Sequence, residues 1–261
     1  MTRKKKLIVG NWKMNPQTLE EAKTIFSKIK RTVSRLRKTE VVICPSDLHL
    51  ATLAKLSGRS KLSLGVQNVF WEDQGFFTGQ ISPAMARNVG AKYALVGHSE
   101  KRKLGETNEQ VALKLEAIVR DKLFGILCVG EQERDKDGNF FSELRGQITS
   151  SLARVPAEFV SSSLILAYEP VWEIGRADLK AMKPMEVHET SIFVRKILHD
   201  MYGRNIAETV PVLYGGSVSP DNAEAIVHDG AVDGLLVGRT SLNSADFTEL
   251  LLNVDLHRGR R

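Results

Sequence analysis

The sequence predicts a (β/α)8 barrel, an α/β fold in a single domain, and three observations point to it. Eight short apolar runs recur along the 261 residues, and stretches with helical periodicity separate them. The runs are rich in Val, Ile and Leu without polar alternation, as is typical of parallel strands covered on both faces. One strand and one helix together average about 33 residues, which agrees with the length of this barrel. An open doubly wound sheet is the competing architecture, but no G-x-G-x-x-G sequence follows the first run.

The predicted strands are the apolar runs themselves, and a turn or a polar group follows each of them. Because all strands of such a barrel are parallel, their carboxyl ends meet on one face. In chain order the strands are Leu7–Asn11, Val41–Cys44, Leu62–Val66, Tyr93–Gly97, Phe124–Val129, Leu164–Glu169, Val210–Tyr214 and Gly234–Val237.

The stretches between the strands are amphipathic. The first carries apolar residues at helical spacing from Leu19 to Leu36, with Thr18 as the predicted N-cap and Glu21 three residues further on. No linker rich in Pro or Gly divides the chain, so we expect one barrel domain over residues 1–261, with short basic ends at 1–6 and 255–261. Further helices are predicted close to Leu48–Leu56, Pro83–Asn88, Glu106–Lys122, Phe141–Leu152, Met185–Met201, Pro220–His228 and Ser241–Asn253.

Composition limits the class of protein. The net charge is +6, but much of the excess lies at the two ends, where a solvated tail is more common than a nucleic-acid contact. Cys44 and Cys128 lie inside apolar runs, as is typical of buried thiols in a reducing cytoplasm. The six histidines lack metal-ligand spacing, and no run is long enough to span a membrane. We therefore expect a cytoplasmic protein that binds no nucleic acid, membrane or metal.

Polar groups stand where the predicted strands end, on the face where such barrels place their chemistry. Glu169 ends the sixth strand before a Pro-Val-Trp loop. It is either a catalytic base or a structural carboxylate that caps the next turn or pairs with a lysine. His98 follows the fourth strand, and Ser99 is the predicted cap of a short helix there. A helix N-terminus disfavours the charged imidazolium, and a neutral histidine can still donate a hydrogen bond to a carbonyl. A purely structural hydrogen bond is the alternative for His98.

Glycine-bearing turns follow the seventh and eighth strands, at Gly215-Gly216-Ser217 and Gly238-Arg239. Backbone N–H groups can approach an anion closely in such turns, and these two loops are a frequent phosphate site of the fold. Taken singly, each glycine could mark nothing more than a tight turn. Together with Lys13, which follows the first strand, they predict a site for a small phosphorylated substrate.

Glu169, His98 and Lys13 together fit one reaction class, the abstraction of a proton next to a carbonyl. No cofactor is needed, because the carbonyl of the substrate already acidifies the proton. Retro-aldol chemistry would require a Schiff-base lysine or a metal, and the position of Lys13 suits an anion contact better. A different phosphosugar enzyme and a non-catalytic binding protein on the same fold remain as alternatives.

Five motifs, in order along nearly the whole chain, resemble the triosephosphate isomerase family. The family is a standard example of a glutamate base, a neutral histidine and a loop that closes over the site, so these roles follow from the resemblance. The motifs are Gly10-Asn11-Trp12-Lys13-Met14-Asn15, Val96-Gly97-His98-Ser99-Glu100, Cys128-Val129-Gly130-Glu131, Tyr168-Glu169-Pro170-Val171-Trp172 and Leu213-Tyr214-Gly215-Gly216-Ser217-Val218.

The resemblance implies that Glu169 moves a proton between two carbons of a triose phosphate, a reaction of glycolysis and gluconeogenesis. The enediolate would be stabilised by His98, Lys13 and Asn11, and the loop 170–177 would act as a lid that excludes water. Backbone N–H groups would bind the phosphate at Gly175, Ser217, Gly238 and Arg239. Supporting positions are Ser99, Glu100, Cys128 and Tyr214.

The stretch Gln67–Ser82 is long, aromatic and without periodicity, as is typical of functional or interface loops. In the family the equivalent loop inserts into a second subunit, here with Thr78-Gly79 at its tip, so we expect a homodimer. Gln80 and Lys101 replace a glutamate and an arginine that often pair near that interface. Arg176-Ala177-Asp178 replaces the usual Thr-Gly-Lys, and the lost glycine restricts the backbone, so lid kinetics are expected to differ. Arg239 stands where a glycine is usual, and we expect its side chain to face solvent.

Overall fold

The computed structural model describes residues 5–135, 137–173 and 181–256. They form a closed barrel in which eight parallel strands follow one another in sequence order. The predicted fold class is therefore confirmed, and each predicted strand is present with ends shifted by at most two residues. The strands are β1 (Lys6–Asn11), β2 (Thr39–Cys44), β3 (Ser63–Val66), β4 (Tyr93–Val96), β5 (Phe124–Val129), β6 (Leu164–Tyr168), β7 (Val212–Tyr214) and β8 (Gly234–Val237).

The barrel closes where β8 pairs with β1. Leu7 lies opposite Glu40 of β2 on one side and opposite Gly234 of β8 on the other. A Cβ on Gly234 would overlap the carbonyl oxygen of Leu7. Glycine at this position is what allows the last strand to approach the first so closely.

Two apolar layers follow from the alternation of side chains along the strands. On β1, Leu7 and Val9 point into the barrel, whereas Ile8 packs outward against the helices. The inner layer packs the interior of the barrel with apolar side chains, and in this fold chemistry takes place at the rim. Its members are Leu7, Val9, Val42, Cys44, Leu95, Ile126, Cys128, Ile165, Ala167, Leu213 and Leu236.

Helices cover the outside of the barrel, and the first begins as predicted, with Thr18 Oγ1 accepting the N–H of Glu21 at 3.3 Å. In the described part of the chain the helices are α1 (Leu19–Val33), α2 (Asp47–Ser57), α3 (Pro83–Asn88), α4 (Ser99–Lys103), α5 (Asn108–Arg120), α6 (Asn139–Ser151), α7 (Ala157–Ser163), α8 (Pro184–Tyr202), α9 (Arg204–Ala207), α10 (Pro220–His228) and α11 (Ser244–Leu256).

Some elements differ from the prediction. Helices α7 and α9 were not predicted, because elements of seven and four residues are too short to show a helical period. The predicted helix Ser241–Asn253 is instead a 3-10 turn, Arg239–Leu242, followed by α11. Asn243 separates the two, since its Oδ1 accepts the N–H of Ala245 at 3.0 Å and caps α11.

Regular structure extends into both of the segments that were predicted as short basic ends, 1–6 and 255–261. Lys6 belongs to β1, and its Nζ donates to the carbonyl of Val232 at 2.7 Å. Asp255 is buried in α11, where its carboxylate accepts the N–H groups of Arg37 and Lys38. Residues 1–4 and 257–261 lie outside the described residues. Of the helices described, none is both long and apolar enough to cross a membrane.

Candidate active site

Glu169 comes directly after β6, and its carboxylate is buried at the carboxyl end of the barrel with 2% of the residue exposed. One oxygen, Oε1, lies 3.1 Å from His98 Nε2. The other, Oε2, accepts the backbone N–H of Ser99 at 3.0 Å. The ends of β4 and β6 therefore bring together the two residues that the sequence predicted as base and hydrogen-bond donor.

Gly130 controls the backbone beside this carboxylate. The N–H of Glu169 donates to the carbonyl of Val129 at 2.8 Å, and a Cβ on Gly130 would overlap the carbonyl oxygen of Glu169. Gln147 of α6 accepts the N–H of Gly130 and donates to its carbonyl, each at 2.9 Å. Sequence reasoning gave Gln147 no role, since a polar residue on a surface helix is usually exposed.

The imidazole of His98 is the N-cap of α4. Its Nδ1 accepts the backbone N–H of Glu100 at 3.2 Å, so Nδ1 carries no proton. The proton of the neutral ring is then on Nε2, which faces Glu169. The prediction that Ser99 caps this helix is wrong, because the helix begins one residue earlier: Ser99 is its first residue and gives its N–H to Glu169.

Lys13 lies just past β1 in a left-handed conformation, with φ at 54°. Asn11 Oδ1 accepts the N–H of Lys13 at 3.1 Å, and Gln67 Nε2 donates to its carbonyl at 2.8 Å. The Nζ atom of Lys13 is 2.7 Å from Glu100 Oε1. Burial raises the pKa of the Glu100 carboxyl, but the hydrogen bond and charge of Lys13 outweigh it, and the pKa stays below its ordinary value. The carboxylate of Glu100 thereby holds the ammonium group at the rim.

The turn after β8 lies beside this lysine. The Cε atom of Lys13 would be 3.6 Å from a Cβ placed on Gly238. Arg239 is exposed and begins the 3-10 helix, where its N–H has no partner within the helix. Ser217 is also exposed, on the turn after β7. Gly175, the fourth predicted phosphate contact, lies outside the described residues, as does the predicted lid beyond residue 173.

Glu131 anchors the start of the predicted lid. Its Oε1 accepts both the hydroxyl of Tyr168 at 2.8 Å and the indole N–H of Trp172 at 2.9 Å. Burial raises the pKa of the Glu131 carboxyl, because desolvation outweighs the two hydrogen bonds and the charge of Arg134. The motif Cys128–Glu131 was recognised in the sequence, but this role of Glu131 was not, since only the fold shows which residues meet it.

Glu173 is a second buried carboxylate in this loop, with 1% of the residue exposed. Its Oε2 accepts the hydroxyl of Tyr214 at 2.8 Å and the N–H of Met182 at 3.3 Å, and its Oε1 accepts the N–H of Ser217 at 2.8 Å. Burial raises the pKa of Tyr214, so its hydroxyl stays protonated and can donate. Sequence reasoning missed Glu173 as well, because a glutamate next to a loop is usually exposed.

Cys128 lies in β5 inside the barrel. Burial raises the pKa of its thiol well above the ordinary value, so a neutral thiol fills the core there. Its carbonyl lies 3.4 Å from Arg102 Nη2, below the turn that carries His98. Across residues 5–135, 137–173 and 181–256, no group of three or more His, Cys, Asp or Glu side chains could hold a metal ion.

The loop 67–82 projects from the barrel with its base held in place. Asn68 Oδ1 accepts a hydrogen bond from Lys114 at 2.7 Å, and Lys114 is also paired with Glu106. Towards the tip, Phe77 packs on Phe70 with ring centroids 4.7 Å apart, while Phe76 is fully exposed. The predicted tip residues Thr78 and Gly79 and the substituted Gln80 are exposed too.

The chain is similar to proteins of one family. The sequence profile described as "Triosephosphate isomerase" matches residues 6–254. A triosephosphate isomerase of Endomicrobium trichonymphae is 40% identical over 250 residues, covering 95% of this chain and 98% of the relative. One of Chloroflexus aurantiacus is 38% identical over 247 residues, covering 94% and 97%. Among solved structures, triosephosphate isomerase from Bartonella henselae aligns with a TM-score of 0.81 at 32% identity, covering 95% of this chain and 98% of that chain.

Proposed function

The chain belongs to the triosephosphate isomerase family, and from this premise we propose how its own residues carry out the reaction. The activity is that of a triosephosphate isomerase, which interconverts dihydroxyacetone phosphate and glyceraldehyde 3-phosphate in glycolysis and gluconeogenesis. The observation that carries the residue assignment is the buried Glu169 carboxylate 3.1 Å from His98 Nε2, at the rim where the strands end.

We propose that Glu169 is the base. It takes a proton from the carbon next to the substrate carbonyl and returns it to the former carbonyl carbon, while the hydroxyl proton passes from one substrate oxygen to the other, so that no proton is gained or lost overall. In the structure, its two oxygens lie against His98 and the N–H of Ser99. A substrate carbonyl that accepts the Nε2–H of His98 would free Oε1 to face the substrate carbon.

The developing negative charge requires fixed donors on the enediolate oxygens. We assign this role to the Nε2–H of His98, to Lys13 and to the side chain of Asn11. The ammonium group of Lys13 has three N–H donors, so it can keep its contact with Glu100 and still bind the substrate. A neutral His98 suits the task because it stabilises the oxygen without a competing strong acid in the site.

The phosphate is assigned to backbone N–H groups at Gly175, Ser217, Gly238 and Arg239, helped by the charge of Lys13. The short distance between Lys13 and Gly238 supports this assignment, since the ammonium group and the N–H groups of the turn can then contact the same phosphate. Ser99, Glu100, Cys128 and Tyr214 are assigned supporting roles through the contacts described above. The exposed position of Arg239 supports a backbone contact, with its side chain towards solvent.

We also propose that the enzyme is a homodimer through the loop 67–82 and works in the cytoplasm. The exposed rings of the adjacent Phe76 and Phe77 support the first point, since neighbouring exposed apolar side chains are more typical of an interface than a single one is. The buried free thiols of Cys44 and Cys128 favour a reducing compartment.

Replacement of the base tests the residue assignment. We expect Glu169→Gln to lower kcat for triose phosphate interconversion by about 10² to 10⁴-fold, because the amide cannot accept the proton. The matched control is Glu116→Gln, which removes an exposed carboxylate outside the site. If the parent enzyme is active and Glu169→Gln keeps its full activity, Glu169 is not the base.

A further inference from the structure

Glu173 takes part in none of the steps above, although it is a buried carboxylate within the site. Its Oε1 accepts the N–H of Ser217 at 2.8 Å, and its Oε2 is held by Tyr214 and Met182. A buried carboxylate is retained only where donors compensate for its lost hydration. Three donors do so here, and one of them is an N–H that the reaction needs for another anion.

Ser217 cannot serve both anions at full strength. One N–H group makes one strong hydrogen bond, and two anions on the same donor repel each other at short range. We propose that Glu173 is an internal anion that occupies the phosphate position at Ser217 in the free enzyme, so that a phosphorylated ligand has to displace it. This inference rests on the proposed phosphate contact of Ser217.

The turn after β7 is held more firmly than the carboxylate that contacts it. The N–H of Gly215 donates to the carbonyl of Tyr168 at 2.7 Å, and Asn222 donates to the carbonyl of Ser217 at 3.0 Å. Gly216 packs directly on the hydroxyl of Tyr214. Glu173 is therefore the partner that withdraws, and its Oε2 can keep Tyr214 and Met182 when Oε1 leaves Ser217.

Displacement of Glu173 from Ser217 affects both the binding of the substrate and the release of the product. Every phosphorylated ligand binds less tightly than the turn alone would allow, because part of its binding free energy replaces an existing hydrogen bond. After turnover, the carboxylate returns to Ser217 and favours release of the product. Glu173 is thus a positioning residue that lowers the affinity for phosphate without touching the reacting carbons.

The test measures inorganic phosphate as a competitive inhibitor of the parent enzyme, Glu173→Ala and Glu173→Gln. We expect the inhibition constant to fall about tenfold in Glu173→Ala, since phosphate no longer displaces a charged hydrogen-bond acceptor. Glutamine has nearly the same shape as glutamate. In Glu173→Gln its single amide oxygen can remain with Tyr214 and Met182, which frees the N–H of Ser217. We expect a change in the same direction there, together with a lower KM for dihydroxyacetone phosphate.

The direction in which the phosphate inhibition constant changes distinguishes this role of Glu173 from a purely structural one. If Glu173 only supports the turn, both variants bind phosphate as weakly as the parent or more weakly, and that result overturns the inference. Circular dichroism checks that the variants fold. If Glu173→Ala does not fold, the phosphate inhibition constant of Glu173→Gln alone tests the inference. Glu116→Gln is the control for the loss of one negative charge.

A second readout follows the donor itself. In a nitrogen–proton correlation spectrum, the amide signal of Ser217 should respond to inorganic phosphate at a lower concentration in Glu173→Gln than in the parent. An active parent enzyme with unchanged phosphate affinity in both variants overturns only the inference on Glu173. A parent without isomerase activity would instead contradict the proposed function.

Discussion

Gly130 shows how one residue without a side chain positions the proposed catalytic base, Glu169. It stands where a Cβ would overlap the carbonyl oxygen of Glu169, so the base can keep its place only beside glycine. Gln147 fixes the same peptide from the outer side of the barrel. The position of the carboxylate is therefore set by backbone packing as well as by its hydrogen bonds.

We expect Gly130→Ala to lower kcat by up to about 10²-fold, because a displacement of roughly 1 Å can cost that much in a reaction that depends on geometry. Steady-state kinetics measure the change, and KM should change less than kcat. Gly146→Ala in α6 is the control, since its Cβ would meet open space. The control should keep full activity and gain about 1 kcal/mol of stability. Unchanged kcat in Gly130→Ala would show that the overlap relaxes without moving Glu169.

Residues of the site differ in how far the sequence could predict them. Glu169, His98 and Lys13 could be placed at one rim because each directly follows an apolar run, and parallel strands end on the same face. Glu173, Glu131 and Gln147 could not, because their burial depends on residues far away in the chain. Gln67 was predicted only as the start of a loop, whereas its side chain binds the carbonyl of Lys13.

At the scale of elements, Glu131 ties β5, β6 and the start of the loop after β6 to one another. Its pKa is raised from 4.5 by burial. The unfolded chain therefore loses this proton at a lower pH than the folded protein does. The resulting stabilisation of the fold is fully present below the unfolded pKa and is lost as the pH rises through the folded pKa.

Glu131→Gln cannot ionise, and its amide oxygen can still accept from Tyr168 and Trp172. We expect the free energy of unfolding of this variant, relative to that of the parent, to increase between about pH 4 and about pH 7. Urea unfolding at the two pH values measures the difference, with Glu116→Gln as the control for an exposed carboxylate. A difference that stays constant or decreases would contradict the raised pKa as its source.

Strands and long helices could be predicted because their periodicity extends over enough residues to be recognised. The ends of elements depend on single residues that a periodic pattern does not detect. Strand β7 begins at Val212 and not at Val210, since Pro211 has no N–H to give to a neighbouring strand. In the same way, Asn243 interrupts what looked like one helix at the carboxyl end of the chain.

At the scale of the whole molecule, Gln67 connects the proposed dimer loop with the active site. It begins the loop 67–82, and its side chain holds the carbonyls of Lys13 and Cys44 at 2.8 and 3.0 Å. A change in how this loop is packed can therefore reach the backbone of Lys13. The number of strands predicted the barrel, but no pattern within one chain shows how that loop meets a second copy.

We expect light scattering to give the parent enzyme a mass twice the 29.0 kDa of one chain. Phe76→Asp should shift the mass towards one chain and lower activity, because two carboxylates would enter a symmetric interface and the loop would lose its support. Met185→Asp is the control, since Met185 is an exposed apolar residue outside the loop. A parent with the mass of one chain would refute the proposed dimer.

The pairing of β1 with β8 also sets a limit on when the protein can fold during its synthesis. Leu7 meets Gly234 only after nearly the whole chain has left the ribosome. Until then β1 and the last strand already made are open edges, which can pair with other nascent chains. The closed sheet of the finished enzyme has no such edge, so this hazard is limited to the period of synthesis, less than about a minute at ordinary rates, and ends with the final strand.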